Sequence, residues 1–81
     1  MEKIIVEVIV PALGRSFDFE FPAQSTGREA ADSSAELLCK LNPSLSFLQP
    51  ELYDAGNGFP LTGQPSLAAA GIRDGSQLML I

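Results

Sequence analysis

The sequence predicts an α+β fold in which one main helix packs across one face of a mixed sheet of four to five strands. Three observations support this prediction. Residues 77–81 are apolar on both faces, which is typical of an interior strand. The segment Lys3–Val10 near the other end has the same aliphatic character, so we expect the two to pair in parallel. A helical pattern over residues 26–41 supplies the element that crosses the sheet between them.

The composition restricts the classes of function that the chain can have. Its 81 residues carry ten carboxylates and five Lys or Arg, a formal charge of −5. The basic residues are scattered, so binding to nucleic acid or to an anionic membrane surface is not expected. No apolar run approaches the roughly 20 residues of a membrane span, and Cys39 has no second cysteine with which to form a disulfide. We therefore expect a cytoplasmic protein that does not insert into a membrane.

The first part of the chain predicts an antiparallel hairpin. In Lys3–Val10 the even positions are all aliphatic and should face the core. Pro11 begins the reversal, and residues 16–21 then alternate strictly between Phe and polar side chains, as a half-buried strand does. Three carboxylates fall on the outer face of this hairpin: Glu7, Asp18 and Glu20. A solvated polar surface is the simplest interpretation of them, and a cation site is not expected.

Residues 26–41 predict the main helix. Thr26 followed three residues later by Glu29 is the signature of a capping box. Asn42-Pro43 should end the helix, because proline disfavours helical geometry in the residue before it. The apolar stripe is dominated by small side chains, which would let the helix lie close against a sheet carrying three Phe residues. Its predicted members are Ala30, Ala31, Ala35, Leu37, Leu38 and Leu41.

The next part predicts a connector and two short strands. Residues 43–50 should form an irregular connector that plugs the edge of the core. The side chains expected to do so are Leu45, Phe47 and Leu48. Residues 51–54 and 59–61 are interpreted as short strands around a type I′ turn at Asn57-Gly58. Pro60 marks the second of them as an edge strand, because proline cannot donate to a ladder.

The last part predicts one helical turn, a tight turn and the final strand. Ser66 should cap a single turn that ends at Gly71. Asp74-Gly75 is a strong turn signal, because glycine tolerates a positive φ and aspartate can bond its own backbone. The resulting order of elements is strand, strand, helix, strand, short strand, helical turn, strand. That order is a β-grasp.

The residues also carry a family resemblance, to ubiquitin along the whole chain. The matching segments are the hairpin, Ser25-Thr26, Leu52-Tyr53, Ala55-Gly56, Ser66-Leu67, Gly71-Ile72 and Ser76-Gln77-Leu78. More narrowly, IIVEVIVPA near the start and GIRDGSQLMLI at the end resemble the YukD and EsaB family, small ubiquitin-like proteins associated with type VII secretion in Gram-positive bacteria. The resemblance implies a single ubiquitin-like domain over residues 1–81. It also implies a cytosolic accessory role in such a machine, assisting export of small helical substrates or regulating the apparatus.

Motifs for catalysis and cofactor binding are absent from the sequence. There is no His, so Ser-His-Asp and Cys-His systems cannot be built. The glycines at 56, 58 and 63 have spacings found in dinucleotide and phosphate loops, but Leu61 and Gln64-Pro65 stand where those loops require other residues. We therefore expect no enzymatic activity, no metal and no cofactor.

A set of apolar residues is predicted on the outer face of the sheet, opposite to the helix. Alternation turns the odd positions of the first and last strands to that face. The predicted partner-binding patch comprises Ile5, Ile9, Tyr53, Met79 and Ile81. Met and Tyr are favoured at interaction surfaces, and contiguous exposed apolar area usually marks a binding site. By resemblance, Tyr53, Met79 and Ile81 fall where ubiquitin carries its recognition patch. The alternatives are that the 43–50 connector covers some of these residues, or that they are scattered surface hydrophobes.

The function expected from these observations is a non-catalytic ubiquitin-like adaptor or regulatory component that docks a protein partner, such as a secretion-machine subunit. Its oligomeric state is open. One alternative is a modifier or sulfur carrier whose Gly-Gly tail lies beyond Ile81; if Ile81 is the natural end, conjugation and sulfur transfer are excluded. Another is a ubiquitin-like domain of a larger secretion subunit. A Ras-binding type of β-grasp is less expected, because its docking strand needs basic residues where this chain has Asp18 and Glu20.

Overall fold

The computed structural model describes residues 2–81, which form one four-stranded sheet and one long helix. The elements in chain order are β1 (Lys3–Val10), β2 (Arg15–Pro22), α1 (Gly27–Leu41), β3 (Leu52–Asp54) and β4 (Gln77–Leu80). The strand order across the sheet is β2-β1-β4-β3. β1 is antiparallel to β2 and parallel to β4, and β3 is antiparallel to β4. The predicted parallel pairing of β1 with β4, and with it the α+β class, is confirmed.

The hairpin of β1 and β2 is in continuous register, from Lys3 opposite Pro22 to Val10 opposite Arg15. A short 3₁₀ turn, Pro11–Leu13, connects the strands, and Gly14 ends it with a φ of 64°. The alternation of β1 is as predicted, because its even positions are buried and its odd positions are exposed or half-buried. The hairpin therefore has one face in the core and one face in water.

The core lies between the inner face of the sheet and α1. The buried strand residues are aliphatic, and the helix meets them with small side chains. Several of the largest core residues are fully enclosed: Leu38, Leu52, Leu67, Leu78, Leu80, Val6, Val8 and Val10. β4 contributes both of its even-numbered leucines to this core, as expected for a strand with neighbours on both sides.

The helix begins where the sequence predicts, but its buried face differs from the predicted stripe. The capping box is formed, since Glu29 N donates to Thr26 Oγ1 at 3.0 Å and Thr26 N donates to Glu29 Oε1 at 2.9 Å. Two predicted stripe members are wrong, because Leu37 is 45% exposed and Leu41 is 64% exposed. Ser34 is buried instead, and its hydroxyl donates to the Ala30 carbonyl at 2.7 Å.

The spacing of the buried helical residues gives the reason for this difference. They follow the i, i+3, i+4, i+7 pattern of a single helical face: Gly27, Ala30, Ala31, Ser34, Ala35 and Leu38. Leu37 lies on the flank of that face, towards β2. A helix spanning Gly27–Leu41 has 15 residues, and no helix within residues 2–81 is long and apolar enough to cross a bilayer.

The segment after the helix departs from the prediction at Leu48 and at residues 59–61. Leu45 and Phe47 pack against the core as predicted, but Leu48 is fully exposed and does not contact it. Residues 59–61 do not form a strand, because Pro60 makes only an isolated bridge with Tyr53. The pairing does not continue beyond that bridge, since Phe59 N donates to the Asn57 side chain at 3.0 Å and not to β3. The sheet therefore has four strands.

The turn at Asn57-Gly58 is not type I′, because that turn needs a positive φ at both residues. Only Gly58 has one, at 78°. The Asn57 side chain instead accepts a hydrogen bond from Phe59 N at 3.0 Å.

The two turns before β4 contain the residues that were predicted to form them, but one predicted side-chain contact was wrong. Ser66 Oγ accepts from Ala69 N at 3.0 Å, and Gly71 follows with a φ of 82°. Gly75 has a φ of 85°, as its turn requires. Asp74 does not bond its own backbone, since its Oδ1 accepts from Ile5 N at 2.8 Å. This carboxylate thereby ties the last turn to β1.

Candidate protein-docking surface

Three residues of the predicted patch form a continuous row across the outer face of the sheet. Ile9 of β1 lies opposite Met79 of β4, and Met79 lies opposite Tyr53 of β3. Adjacent strands are about 4.8 Å apart, so these side chains are direct neighbours. All three are half-buried, on the face that α1 does not cover. We refer to Ile9, Met79 and Tyr53 as the outer row.

Two further apolar residues extend the outer row. Ile81 is two residues beyond Met79, so alternation places it on the same face, and it is 60% exposed. Its backbone is fixed against the chain before β3, because Ile81 N donates to Glu51 O at 3.0 Å and Glu51 N donates to Ile81 O at 3.1 Å. Pro60 pairs with Tyr53 and continues the row past β3. The apolar surface therefore reaches from β1 to the edge beyond β3.

Ile5 is on the same face but is separated from the outer row. Glu7 and Gln77 are paired across β1 and β4, in the position between Ile5 and Ile9. Gln77 Nε2 donates to Glu7 Oε1 at 2.8 Å, and Ser16 Oγ donates to Glu7 Oε2 at 2.8 Å. Ile5 is 52% exposed on the far side of these polar groups. The structure thus brings four predicted patch residues together at one end of the sheet and places the fifth at the other.

The polar boundary of the outer row carries a stable negative charge. The hydrogen bond from Gln77, and then that from Ser16, lower the pKa of the Glu7 carboxyl below its ordinary value. Asp18 of β2 lies directly opposite Glu7 of β1. Glu20 lies two residues further along β2, on the same face, and is 3.7 Å from Lys3 Nζ. The outer face therefore has an apolar end and an acidic end.

The large apolar side chains of the connector do not lie on the outer row. Leu45 and Phe47 pack against the core on the helix side of the sheet, and Leu48 extends into solvent. The outer row is also contiguous, so its members are not scattered surface hydrophobes. That this face binds a partner stays a prediction.

The described part of the chain holds no arrangement suited to metal binding. Among residues 2–81 no three Cys, Asp or Glu side chains come together in a way that could bind a metal ion. Both carboxylate oxygens of Glu7 already accept hydrogen bonds, and Cys39 is a half-buried free thiol on α1. What the outer face can offer a ligand is apolar contact bordered by hydrogen-bond acceptors.

Two residues of this surface were not predicted from the sequence. Pro60 extends the outer row, and the signal for it was the reversal at Asn57-Gly58, which returns the chain alongside Tyr53. Gln77 sets the polar boundary through Glu7, and nothing in its sequence position indicated that contact, because it depends on the register between β1 and β4.

The chain is similar in structure to several ubiquitin-like domains. The ubiquitin-like domain of the Mycobacterium tuberculosis type VII secretion system protein EccD1 has a TM-score of 0.74 and 23% sequence identity, with 100% of this chain and 99% of that chain covered. The ubiquitin-like domain of an Arabidopsis thaliana protein has a TM-score of 0.71 and 21% identity, covering 100% and 78%. The Caldiarchaeum subterraneum ubiquitin has a TM-score of 0.63 and 18% identity, covering 99% and 92%.

These similarities establish the fold. No protein-family model and no curated protein matches the sequence. The chain has a ubiquitin-like β-grasp fold, as predicted, and one of its structural neighbours comes from a type VII secretion protein. The narrower resemblance to YukD and EsaB stays a prediction.

Proposed function

We propose that this chain is a non-catalytic, cytoplasmic ubiquitin-like docking protein that acts in a type VII secretion system. It binds a protein subunit of that system through the outer row and Ile81. Its role is that of an adaptor or regulator, in the manner implied by its resemblance to YukD and EsaB. No cofactor, nucleic acid or membrane insertion takes part.

The observation that carries this proposal is the outer row itself. Ile9, Met79 and Tyr53 are consecutive across three strands, on the sheet face opposite to α1. A rigid sheet presents such side chains with little loss of backbone freedom on binding, and Met and Tyr give adaptable area with one polar tip. The acidic boundary at Glu7 would favour a partner with an apolar centre flanked by donors or basic groups.

The type VII context is supported by two observations. The sequence segments at both ends of the chain resemble the YukD and EsaB family. The structure resembles the EccD1 ubiquitin-like domain over nearly the full length of both chains. That second similarity also favours one alternative, in which this chain is a ubiquitin-like domain of a larger secretion subunit; the full gene would distinguish the two.

An affinity capture with matched variants tests the proposal. The wild-type chain, a Tyr53→Ala, Met79→Ser double variant and a Leu48→Ser control would each be incubated with cytosol and membrane fractions of the source cells. Leu48 is fully exposed and lies outside the outer row, so its substitution removes an apolar side chain without touching the proposed site. Folding of each variant would be checked first by circular dichroism.

We expect secretion-system subunits to be captured by the wild type and the control and lost from the double variant. Equal capture by all three would remove the outer row from the docking function. Capture of an activating or sulfur-transfer enzyme would instead support the alternative of a modifier or sulfur carrier whose tail lies beyond Ile81.

A further inference from the structure

The free edge of β2 offers a second binding surface, independent of the outer row. β2 is an eight-residue strand at the end of the sheet, with β1 as its neighbour. In an antiparallel pair, alternate residues direct their N–H and C=O groups to the partner strand. Just beyond the strand pair, Ala23 N donates to Glu2 O, so Ala23 directs its backbone N–H towards β1. The Phe residues of β2 lie at alternate positions from Ala23, so their backbone groups also point towards β1. Ser16, Asp18 and Glu20 therefore direct their backbone groups away from β1.

The opposite side of β1 supports this assignment. Glu7 N donates to Ser76 O and Ile5 O accepts from Gly75 N, so the odd residues of β1 bond towards β4 and its even residues bond towards β2. In the described chain no backbone hydrogen bond joins Ser16, Asp18 or Glu20 to another element. The three N–H donors on this edge are available to an added strand.

A groove runs alongside this edge, between β2 and α1. It has a volume of about 360 Å³, and its apolar wall includes Phe19, Phe21 and Leu37. Leu37 is one of the two helix residues that were expected in the core but are exposed, and its exposed fraction is 45%. A smaller depression of about 270 Å³ shares Leu37 and continues along the helix. The groove thus places apolar contacts next to free backbone groups, which is the combination used when an extended peptide adds to a sheet.

The charges around the groove determine which peptide fits. Glu29 lines the groove, as does Glu20 at the edge of the sheet, where it lies 3.7 Å from Lys3 Nζ. Glu36 lines the smaller depression with Lys40. Lys40 lies 3.4 Å from Glu36, in an exposed pair whose charges are largely screened by water. Lys3 and Glu20 form a similar exposed pair, so three carboxylates against two lysines leave the rim acidic by net charge. A second copy of this chain is disfavoured as occupant, because pairing two β2 strands would bring Asp18 and Glu20 against the same residues of the other copy.

We propose that the β2–α1 groove binds an extended, basic protein segment as an added β-strand. Alternate apolar side chains of the segment enter the groove beside Leu37, and its Lys or Arg residues meet Glu20, Glu29 and Glu36. Its backbone bonds to the edge groups of Ser16, Asp18 and Glu20. The chain then has two docking faces, the outer row and this groove, and can hold two protein partners at once.

A titration with defined peptides tests this proposal. The probe is an acetylated peptide of about nine residues, matched to the length of β2, with Ile, Val and Ile alternating with Ser between Lys-Lys ends. One control peptide has Glu in place of every Lys, and another carries N-methyl groups on the residues that would donate to β2. Binding to the isotope-labelled protein would be followed by amide chemical shifts.

We expect saturable shifts at Ser16, Asp18, Glu20 and the amides around Leu37. The Glu peptide should bind at least about tenfold more weakly, because it meets the acidic rim with like charge, and the N-methyl peptide should lose a similar factor. Leu37→Ser should weaken the Lys peptide by about three- to tenfold, since it removes a half-exposed apolar wall. That side chain is outside the core, so the variant should remain folded.

The outer-row variant Tyr53→Ala, Met79→Ser separates this proposal from the proposed function. It should bind the Lys peptide as the wild type does, because the two surfaces share no residue. The proposal is overturned if the Lys peptide produces no saturable shifts, if the Lys and Glu peptides bind equally, or if the shifts are confined to the outer row. The proposal is also overturned if Leu37→Ser binds the Lys peptide as tightly as the wild type does.

Discussion

The close approach of α1 to the segment at Leu61 gives a sharp stability prediction for Gly27→Ala. A Cβ added at Gly27, the first residue of the helix, would overlap the Leu61 carbonyl group and lie 2.9 Å from the Leu61 Cβ. Neither side can move freely. Leu61 is 3% exposed and its N–H donates to Leu52 O at 2.9 Å, while the helix start is held by the capping box of Thr26 and Glu29.

The magnitude follows from two opposing effects. Forcing extra volume into a packed site costs about 1–3 kcal/mol. Alanine is a better helix former than glycine by up to about 1 kcal/mol in a helix interior, but much of that gain is absent at the first helical position. We expect a net loss of about 1–3 kcal/mol, and a melting temperature lower by roughly 4 °C or more for each kcal/mol in a domain of this size.

Urea unfolding followed by circular dichroism measures this loss as a lower midpoint at unchanged slope. Gly63→Ala is the matched control, because a Cβ there would meet nothing within 4 Å and the residue does not have a positive φ. The control should be neutral or more stable by up to about 1 kcal/mol. The reasoning is refuted if Gly27→Ala unfolds at the wild-type midpoint, or if both variants lose the same stability.

Three further predictions follow from single contacts. Thr26→Ala removes the capping side chain and should cost about 1 kcal/mol in urea unfolding; an unchanged midpoint would contradict the capping box. Leu38→Ala should cost about 2–5 kcal/mol and Leu37→Ala far less, since Leu38 is fully buried and Leu37 is half-exposed; equal losses would contradict the assigned helix face. Gln77→Leu removes the donor that most lowers the pKa of Glu7, so that pKa should rise in a nuclear magnetic resonance titration. The folded pKa of Glu7 is below its unfolded value, so the ionised carboxylate stabilises the folded state, and the wild type should lose this stabilisation as pH falls through the folded pKa. The variant should lose less stability over the same pH range. An unchanged Glu7 pKa in Gln77→Leu would contradict the contact.

The strands and the helix start could be predicted because their signals are local. Alternation in β1 and β2 and the spacing of Thr26 and Glu29 depend on neighbouring residues alone. The buried face of α1 was harder, because a stripe of apolar residues is broader than the contact with the sheet. Leu37 fits the stripe but lies beside the free edge of β2, and Ser34 satisfies its hydroxyl within the helix and can be buried.

The sequence was enough to predict which side of the sheet the candidate-site residues lie on, but not how they are grouped on that side. Alternation placed Ile5, Ile9 and Met79 on the outer side of the sheet, and the structure agrees. Their grouping depends on the parallel register of β1 with β4, which the sequence does not specify. That register sets the Glu7–Gln77 pair between Ile5 and the other two. Long-range pairing therefore decides where the apolar surface ends.

The measurement that tests the proposed docking function most directly is site-specific photocrosslinking in the source cells. A photoreactive phenylalanine would replace Tyr53, where it keeps the aromatic ring in the outer row, and Leu48 would be replaced in the control. We predict a crosslinked type VII secretion subunit at position 53 that is absent at position 48. No adduct at position 53, or the same adducts at both positions, would contradict a partner seated on Ile9, Met79 and Tyr53.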